Sequence, residues 1–509
     1  MENHETILGP PGTGKTQTNS NRIQNCIEDK IDPHRIACVS FTRKAARESR
    51  DRVCNDWGLD EKELPFFQTL HSMAYKAGGY STDDVIGPKE MTNIGEEVGL
   101  SFGRKTYSAE SDFDMLGVST GDIYMNLYHL ARSKKMSLEE AYRQTGEHKI
   151  HFAELSRLVK AYENYKQVNQ KIDFTDMIEN FIRSDVCPDI EALFVDEAQD
   201  LSTLQWSMVN VLRRKPRIQV FTGDDDQAIM GFQGADVKAF LSATEKKTVL
   251  NKSYRVPRAV WEQAQGIVNR ILFRAPKVWH PQNEEGSVRY HQDIWDIPFE
   301  KGEWCLMART NRIASYYASE LRKEGWVYSR NGNPSIPLKT YEAIMDWESW
   351  CQGGVLPPTK IRNVYAFMEV DDGFIKGYGP RSKKLISEMG EEELYSMQYA
   401  LDNLGLIKDG SVRWHQALVK IDWDTRNYIL NALKRGDNVR NPRIKISTIH
   451  SMKGGEADNI VVIPDLSYAA HKEYEKNPAT EHRVFYVAVT RAKKSLHVMY
   501  PQTYRNYSI

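Results

Sequence analysis

Residues 6–16 read TILGPPGTGKT, and this stretch decides the fold. A short apolar run, Thr6 to Leu8, leads straight into Gly9-Pro-Pro-Gly-Thr-Gly-Lys-Thr16, which satisfies G-x-x-x-x-G-K-[ST] in full. A helical pattern begins at its end. Glycines in such a loop let backbone N–H groups face a phosphate chain, and the helix that follows adds the partial positive charge of its N-terminus. Gly9, Gly12, Thr13 and Gly14 are the expected cradle, Lys15 the cation that reaches the β and γ phosphates, and Thr16 the hydroxyl that ligates Mg2+. ATP and Mg2+ are the cofactors this pattern calls for.

Outward from this loop, short apolar runs rich in β-branched residues alternate with longer helical patterns in two regions, the signature of parallel sheets flanked by helices. The first region has TIL (6–8), RIACVSF (35–41), EALFV (191–195) and RIQVFT (217–222); the second has WCLMA (304–308), RIKIST (443–448), NIVVI (459–463) and SLHVMY (495–500). A chain of 509 residues is too long for one core, so the expected fold class is α/β with two lobes. Residues 77–165 and 336–440 lack such runs and read as mainly helical insertions. The first lobe is then expected at 1–76 and 166–248, and the second at 249–335 and 441–509.

Two further strand ends carry chemistry. LFVDEAQD (193–200) is an apolar run that finishes in Asp196 and Glu197, where a carboxylate to hold magnesium and a base to orient water are needed. TGDDDQAIMGFQGA (222–235) places three aspartates in succession, which repel one another unless a cation or donors lie nearby. They are expected to face the same metal and phosphate site, the alternative for Asp225 and Asp226 being an acidic turn that caps the next helix. Gln227 is neutral and offers an amide to a γ-phosphate.

Composition bounds the partners. With 40% hydrophobic residues, 27% charged residues and a net charge of -1, any nucleic-acid contact must come from a local groove and not from a globally basic surface. The six cysteines, at 26, 38, 54, 187, 305 and 351, have no C-x-x-C spacing, against both a zinc site and a disulfide framework. No run of eighteen apolar residues occurs, and MENHETILGPPG lacks the charge and hydropathy succession of a signal peptide. The expected location is cytoplasmic, in a bacterial or phage-infected cell, with no membrane partner.

GPPGTGKT, VSFTRKAA, TLHS, DFTDMI, VDEAQD, GDDDQAIMGFQGA, SYRVP, STIHSMKGGEAD and VFYVAVTRAKK stand in the order found in the UvrD/Rep/PcrA helicases of superfamily 1, which this chain resembles. The resemblance implies two RecA-like P-loop NTPase lobes with ATP between them, and a motor that moves 3′ to 5′ on single-stranded DNA and unwinds duplexes at single-strand/duplex junctions. It also implies roles for residues. Arg255 and Arg491 look like arginine fingers, Tyr254 like the residue that stacks on adenine, and Glu456 like a ribose contact. Phe41 and Phe232 look like base-stacking aromatics, which grip any base without reading sequence, and Thr42 like a neighbouring strand contact. The near-repeat TLHSM (69–73) and TIHSM (448–452) places Thr69, His71 and Ser72 in one lobe and Thr448, His450 and Ser451 in the other, where the family grips successive phosphates. Arg43, Met230, Gln233 and Gly455 depart from the usual residues of these motifs. Other functions open to such a chain are a translocase that strips proteins from DNA with little unwinding, and a nucleotide-switched subunit that recruits a loading, replication or repair protein.

Overall fold

The computed structural model describes residues 3–103, 119–145, 150–369, 385–390, 393–407 and 409–509. They form two compact units, one made of Met1–Asp296, Arg309–Asn311 and Ile449–Ile509, the other of Ile297–Ala308 and Arg312–Thr448.

One sheet of the first unit has six strands among the described residues: β1 (Asn3–Leu8), β2 (Ile36–Ser40), β3 (Phe66–Thr69), β4 (Ala192–Asp196), β5 (Ile218–Gly223) and β6 (Lys247–Val249). All pairings are parallel and the order is β3-β2-β4-β5-β1-β6. The inner strands β2 and β4 are buried along their whole length, as befits a parallel sheet covered by helices on both faces. Helices Lys15–Glu28, Arg43–Trp57 and Thr203–Leu212 supply cover. Because every strand points the same way, β1, β4 and β5 deliver Gly9, Glu197 and Asp224 to one edge of the sheet. In open α/β sheets ligands bind at the carboxyl ends of the strands. Helices Pro88–Val98, Thr120–Ser133, Leu138–Thr145 and Phe152–Asn169 form the helical insertion, packed around Met91, Ile94, Tyr124, Leu155, Leu158 and Tyr162. Further on, helix Arg258–Val268 precedes β7 (Ser287–His291).

The second unit carries β8 (Trp304–Ala308), β9 (Tyr328–Arg330), β10 (Asn333–Pro334) and, after a long helical excursion, β13 (Ile444–Thr448). Within it β9, β13 and β8 run parallel, and β10 folds back antiparallel on β9. The excursion is mainly helical, with helices Leu338–Cys351, Pro358–Ala366 and Trp423–Arg435, and holds one short antiparallel pair, β11 (Val355–Leu356) with β12 (Tyr395–Ser396). Trp347, Trp350, Tyr365 and Ile429 fill its core.

Back in the first unit, β14 (Ala457–Val462) and β15 (Ala492–Met499) run parallel, and β7 pairs with the far side of β15. Helix Pro478–Val489 leads into β15 and is buried over most of its length. Among the described residues no helix is long and apolar enough to cross a membrane.

Candidate functional site

The phosphate loop follows β1 without a spare residue. Gly9 N–H donates to Gly223 O at the end of β5 (2.8 Å). Gly12 and Gly14 take φ of 71° and 80°, the left-handed region that glycine enters without a Cβ penalty. Space is also short, since a Cβ on Gly12 would lie 2.4 Å from Arg255 Cβ. Gly14 caps helix Lys15–Glu28. Thr13 Oγ1 donates to Pro10 O (2.8 Å), closing the loop on itself, and Lys15 Nζ folds back to Gly9 O (2.8 Å). Thr16 is half-buried in the first turn of that helix. The loop apex is held by the segment after β6: Ser253 Oγ donates to Pro11 O (2.8 Å) and Tyr254 N–H to Gly12 O (2.8 Å), while the Tyr254 ring stays 74% exposed.

β4 ends in Asp196, buried, with its carboxylate accepting from Glu197 N–H (3.0 Å). Burial and the adjacent Glu197 push the Asp196 carboxyl up to about 7. Burial also opposes ionisation of Glu197, but Lys15 and Lys453 outweigh it and hold that carboxyl low. Thr16 and Asp196 offer oxygen donors only, one of them a buried carboxylate beside a second carboxylate, and this donor set suits Mg2+.

Two arginines meet this site. Arg491 is buried, and its Nη2 donates to Gln227 Oε1 (2.5 Å) while Nε donates to Val487 O (3.0 Å). Burial first, and then Arg255, lower its affinity for the proton to about 9. Arg255 donates through Nε and Nη2 to Glu456 Oε2, both at 2.6 Å. Glu456 thus holds a finger candidate in this structure.

On the same edge of the sheet, Phe41, His71, Phe232 and Gln233 line a cavity of about 180 Å³. Phe232 is 37% exposed and lies edge-on to His450, with ring centroids 5.4 Å apart. Phe41 packs partly against the core beneath the first sheet. His71 stands edge-on to Phe174 (6.2 Å), and burial, then Arg43, lower its pKa to about 4. Thr42 and Thr69 act as helix caps: Thr42 Oγ1 accepts from Ala45 N–H and Thr69 Oγ1 from Ser72 N–H, each at 3.2 Å. Ser451 follows His450 in the first unit, whereas Thr448 ends β13 in the second.

Residues 1–248 match the UvrD/REP helicase N-terminal domain and residues 421–503 the UvrD-like helicase C-terminal domain. The chain belongs to the UvrD/Rep/PcrA-like helicase family. It is similar to the ATP-dependent DNA helicase PcrA of Leuconostoc citreum, 24% identical over 314 residues that cover 56% of this chain and 40% of that protein. The same protein of Staphylococcus epidermidis is 24% identical over 310 residues, covering 56% and 41%. The match therefore spans about two fifths of the length of these relatives. A solved structure, the Arterivirus nonstructural protein 10 helicase, covers 98% of this chain and 59% of its own at 11% identity, with a TM-score of 0.34.

One expectation for this UvrD-like chain is corrected. Asp224, Asp225 and Asp226 are fully buried, and a cation from the protein itself occupies the space among them. Lys277 Nζ lies 2.9 Å from Asp224 and 2.8 Å from Asp226, and also bonds Asp225, while Arg274 makes two bonds to Asp226 (2.8 and 2.6 Å). The carboxylates are thus spent on internal ion pairs and do not face a metal. Asp224 also caps the short 3₁₀ turn Asp225–Gln227, so the capping alternative holds in part, with a different aspartate as the cap. Other participants escaped the sequence reading. Gln199 bridges Glu197 to Asp224 N–H, and Lys453 binds both oxygens of Asp200 (2.6 and 2.5 Å) and Gln227 O (2.8 Å). The one signal for Lys277 was the aspartate run itself, which demands a cation from somewhere.

Proposed function

We propose that this chain is a DNA-stimulated ATPase that translocates 3′ to 5′ along single-stranded DNA and separates duplexes at single-strand/duplex junctions, in the cytoplasm. The observation that carries the reading is the gathering of Lys15, Asp196, Glu197, Gln227 and Arg491 at the carboxyl edge of one sheet, with Gln227 already bonded to Arg491. In this reading the loop N–H groups and Lys15 hold the β and γ phosphates of ATP. Glu197 takes the proton of the attacking water. Arg255 and Arg491 neutralise charge that builds up in the transition state, a contribution of about 10³ to 10⁵ in rate for such fingers. Thr16 and Asp196 would hold Mg2+, which would supply positive charge beside the phosphates. Tyr254, largely exposed beside the loop, stacks on the base, and Glu456, once released from Arg255, meets the ribose.

Phe41 and Phe232 stack on bases of the strand, and Thr42, Thr69, His71, Ser72, Thr448, His450 and Ser451 contact its phosphates. The ring of Phe232 against His450 favours this, because one element of each family domain contributes to the same edge. The test is unwinding of duplexes with a 3′ or a 5′ single-stranded tail in the presence of ATP and Mg2+. Strand separation only from the 3′ tail is expected; preference for the 5′ tail would overturn the polarity.

A further inference from the structure

We propose that Lys277 is a positioning residue of the hydrolytic site: its ammonium fixes Asp224, whose carboxylate carries a hydrogen-bonded arm to Arg491 and whose backbone N–H carries a second arm to Glu197. The proposal rests on the hydrolytic reading above and adds to it a residue outside every motif singled out in the sequence.

Three adjacent carboxylates without solvent stay ionised only if cations and donors face them. The segment 274–277 provides these: Lys277 touches all three carboxylates, Arg274 grips Asp226, and Ala275 N–H donates to Asp225 Oδ2 (2.8 Å). From helix Pro478–Val489, Arg483 Nε adds a bond to Asp225 O (2.8 Å).

Asp224 then dictates two amide orientations. Its Oδ2 accepts from Gln227 Nε2 (2.7 Å), which leaves Gln227 Oε1 to accept from Arg491. Its N–H donates to Gln199 Oε1 (3.1 Å), which leaves Gln199 Nε2 to donate to Glu197 Oε2. An amide has one accepting and one donating end, so an ionised Asp224 can hold Gln227 in only one of its two orientations. A proton on Asp224 Oδ2 would oppose Gln227 Nε2 and favour the flipped amide, which turns its NH2 toward the guanidinium of Arg491. Lys277 and, after it, Lys15 oppose this by keeping Asp224 charged.

The test compares the full chain with Lys277→Met and Lys277→Arg, measuring binding of a fluorescent ATP analogue, kcat and KM, the pH profile of kcat, and thermal unfolding. Lys277→Met is expected to bind nucleotide within about threefold of the parent, to lose at least about tenfold in kcat, and to have its acidic limb displaced to higher pH. Lys277→Arg restores most of kcat. Should Lys277→Met not fold, Lys277→Gln keeps a hydrogen-bonding side chain without the charge and is read in the same way. Unchanged kcat, or equal loss of binding and kcat with no change in the pH profile, would overturn the positioning role. Absence of hydrolysis in the parent chain would instead overturn the functional reading on which it rests.

Discussion

Glu197 sits at φ 50°, in the left-handed region, directly after a strand that is buried from end to end. A non-glycine residue there is strained by about 1 to 3 kcal/mol and persists only when its surroundings over-determine it. Gln199 bonds the carboxylate, and Lys15 and Lys453 supply the positive charge around it. Arg491 is fixed in a similar way, between Gln227 and the carbonyl of Val487. Arg491→Ala is therefore expected to leave nucleotide affinity nearly unchanged and to lower kcat by about 10³ or more. Titration with a fluorescent ATP analogue beside steady-state hydrolysis separates the two effects; parallel loss of both would make Arg491 a structural residue. At this scale the sequence was most legible where spacing alone creates chemistry, as in Gly9 to Thr16 and in Asp196-Glu197. It was least legible at Asp224 to Asp226. Their counter-ion Lys277 lies 52 positions beyond Asp225, in a stretch whose local pattern gives no sign of burial.

Among the elements, the helix beginning at Leu70 shows how one residue can serve two purposes. Thr69 ends β3 and caps helix Leu70–Ala77 through Ser72 N–H, a task independent of any strand. Thr69→Ala should lower stability by about 1 kcal/mol, the usual loss for a hydroxyl cap, measurable by urea unfolding. If binding of single-stranded DNA is unaltered in that variant, the proposed phosphate contact at Thr69 is withdrawn and the cap remains. On the other sheet, β15 and β7 bring His497 and His291 together, with Nδ1 and Nε2 2.8 Å apart and the rings stacked. Burial first, and then His291, lower the His497 pKa to about 4. The unfolded chain protonates this histidine near the ordinary 6.5, so the folded state holds its full advantage above about 6.5 and loses it as pH falls from there to about 4. The loss is on the order of 2 to 3 kcal/mol. His497→Asn should flatten the fall of unfolding free energy between pH 6.5 and 4, and an unchanged slope would place the acid sensitivity elsewhere. Edge strands were the elements that sequence pattern missed. β6 (KTV) and β7 (SVRYH) are short and half-exposed, so they lack the apolar run that marks an inner strand.

At the scale of the molecule, alternation of strands and helices was enough to read an α/β chain with mainly helical insertions, because parallel inner strands must be apolar on both faces. The net charge of -1 gives no long-range pull on DNA, so the proposed affinity for a strand rests on a local site, for which the carboxyl edge, where Phe41, His71 and Phe232 line one cavity, is the candidate. The proposed motor function requires that this cavity and the phosphate loop communicate, and both lie within the first unit, joined by the segment from Gly223, whose carbonyl accepts from Gly9 N–H, to Gln233. The measurement that tests the account most directly is ATP hydrolysis by the purified chain with no nucleic acid, with poly-dT, with duplex DNA and with single-stranded RNA, beside Lys15→Ala. The account predicts stimulation by poly-dT well above every other condition and no turnover in Lys15→Ala. Hydrolysis that is indifferent to every strand, or that survives loss of Lys15, would contradict it.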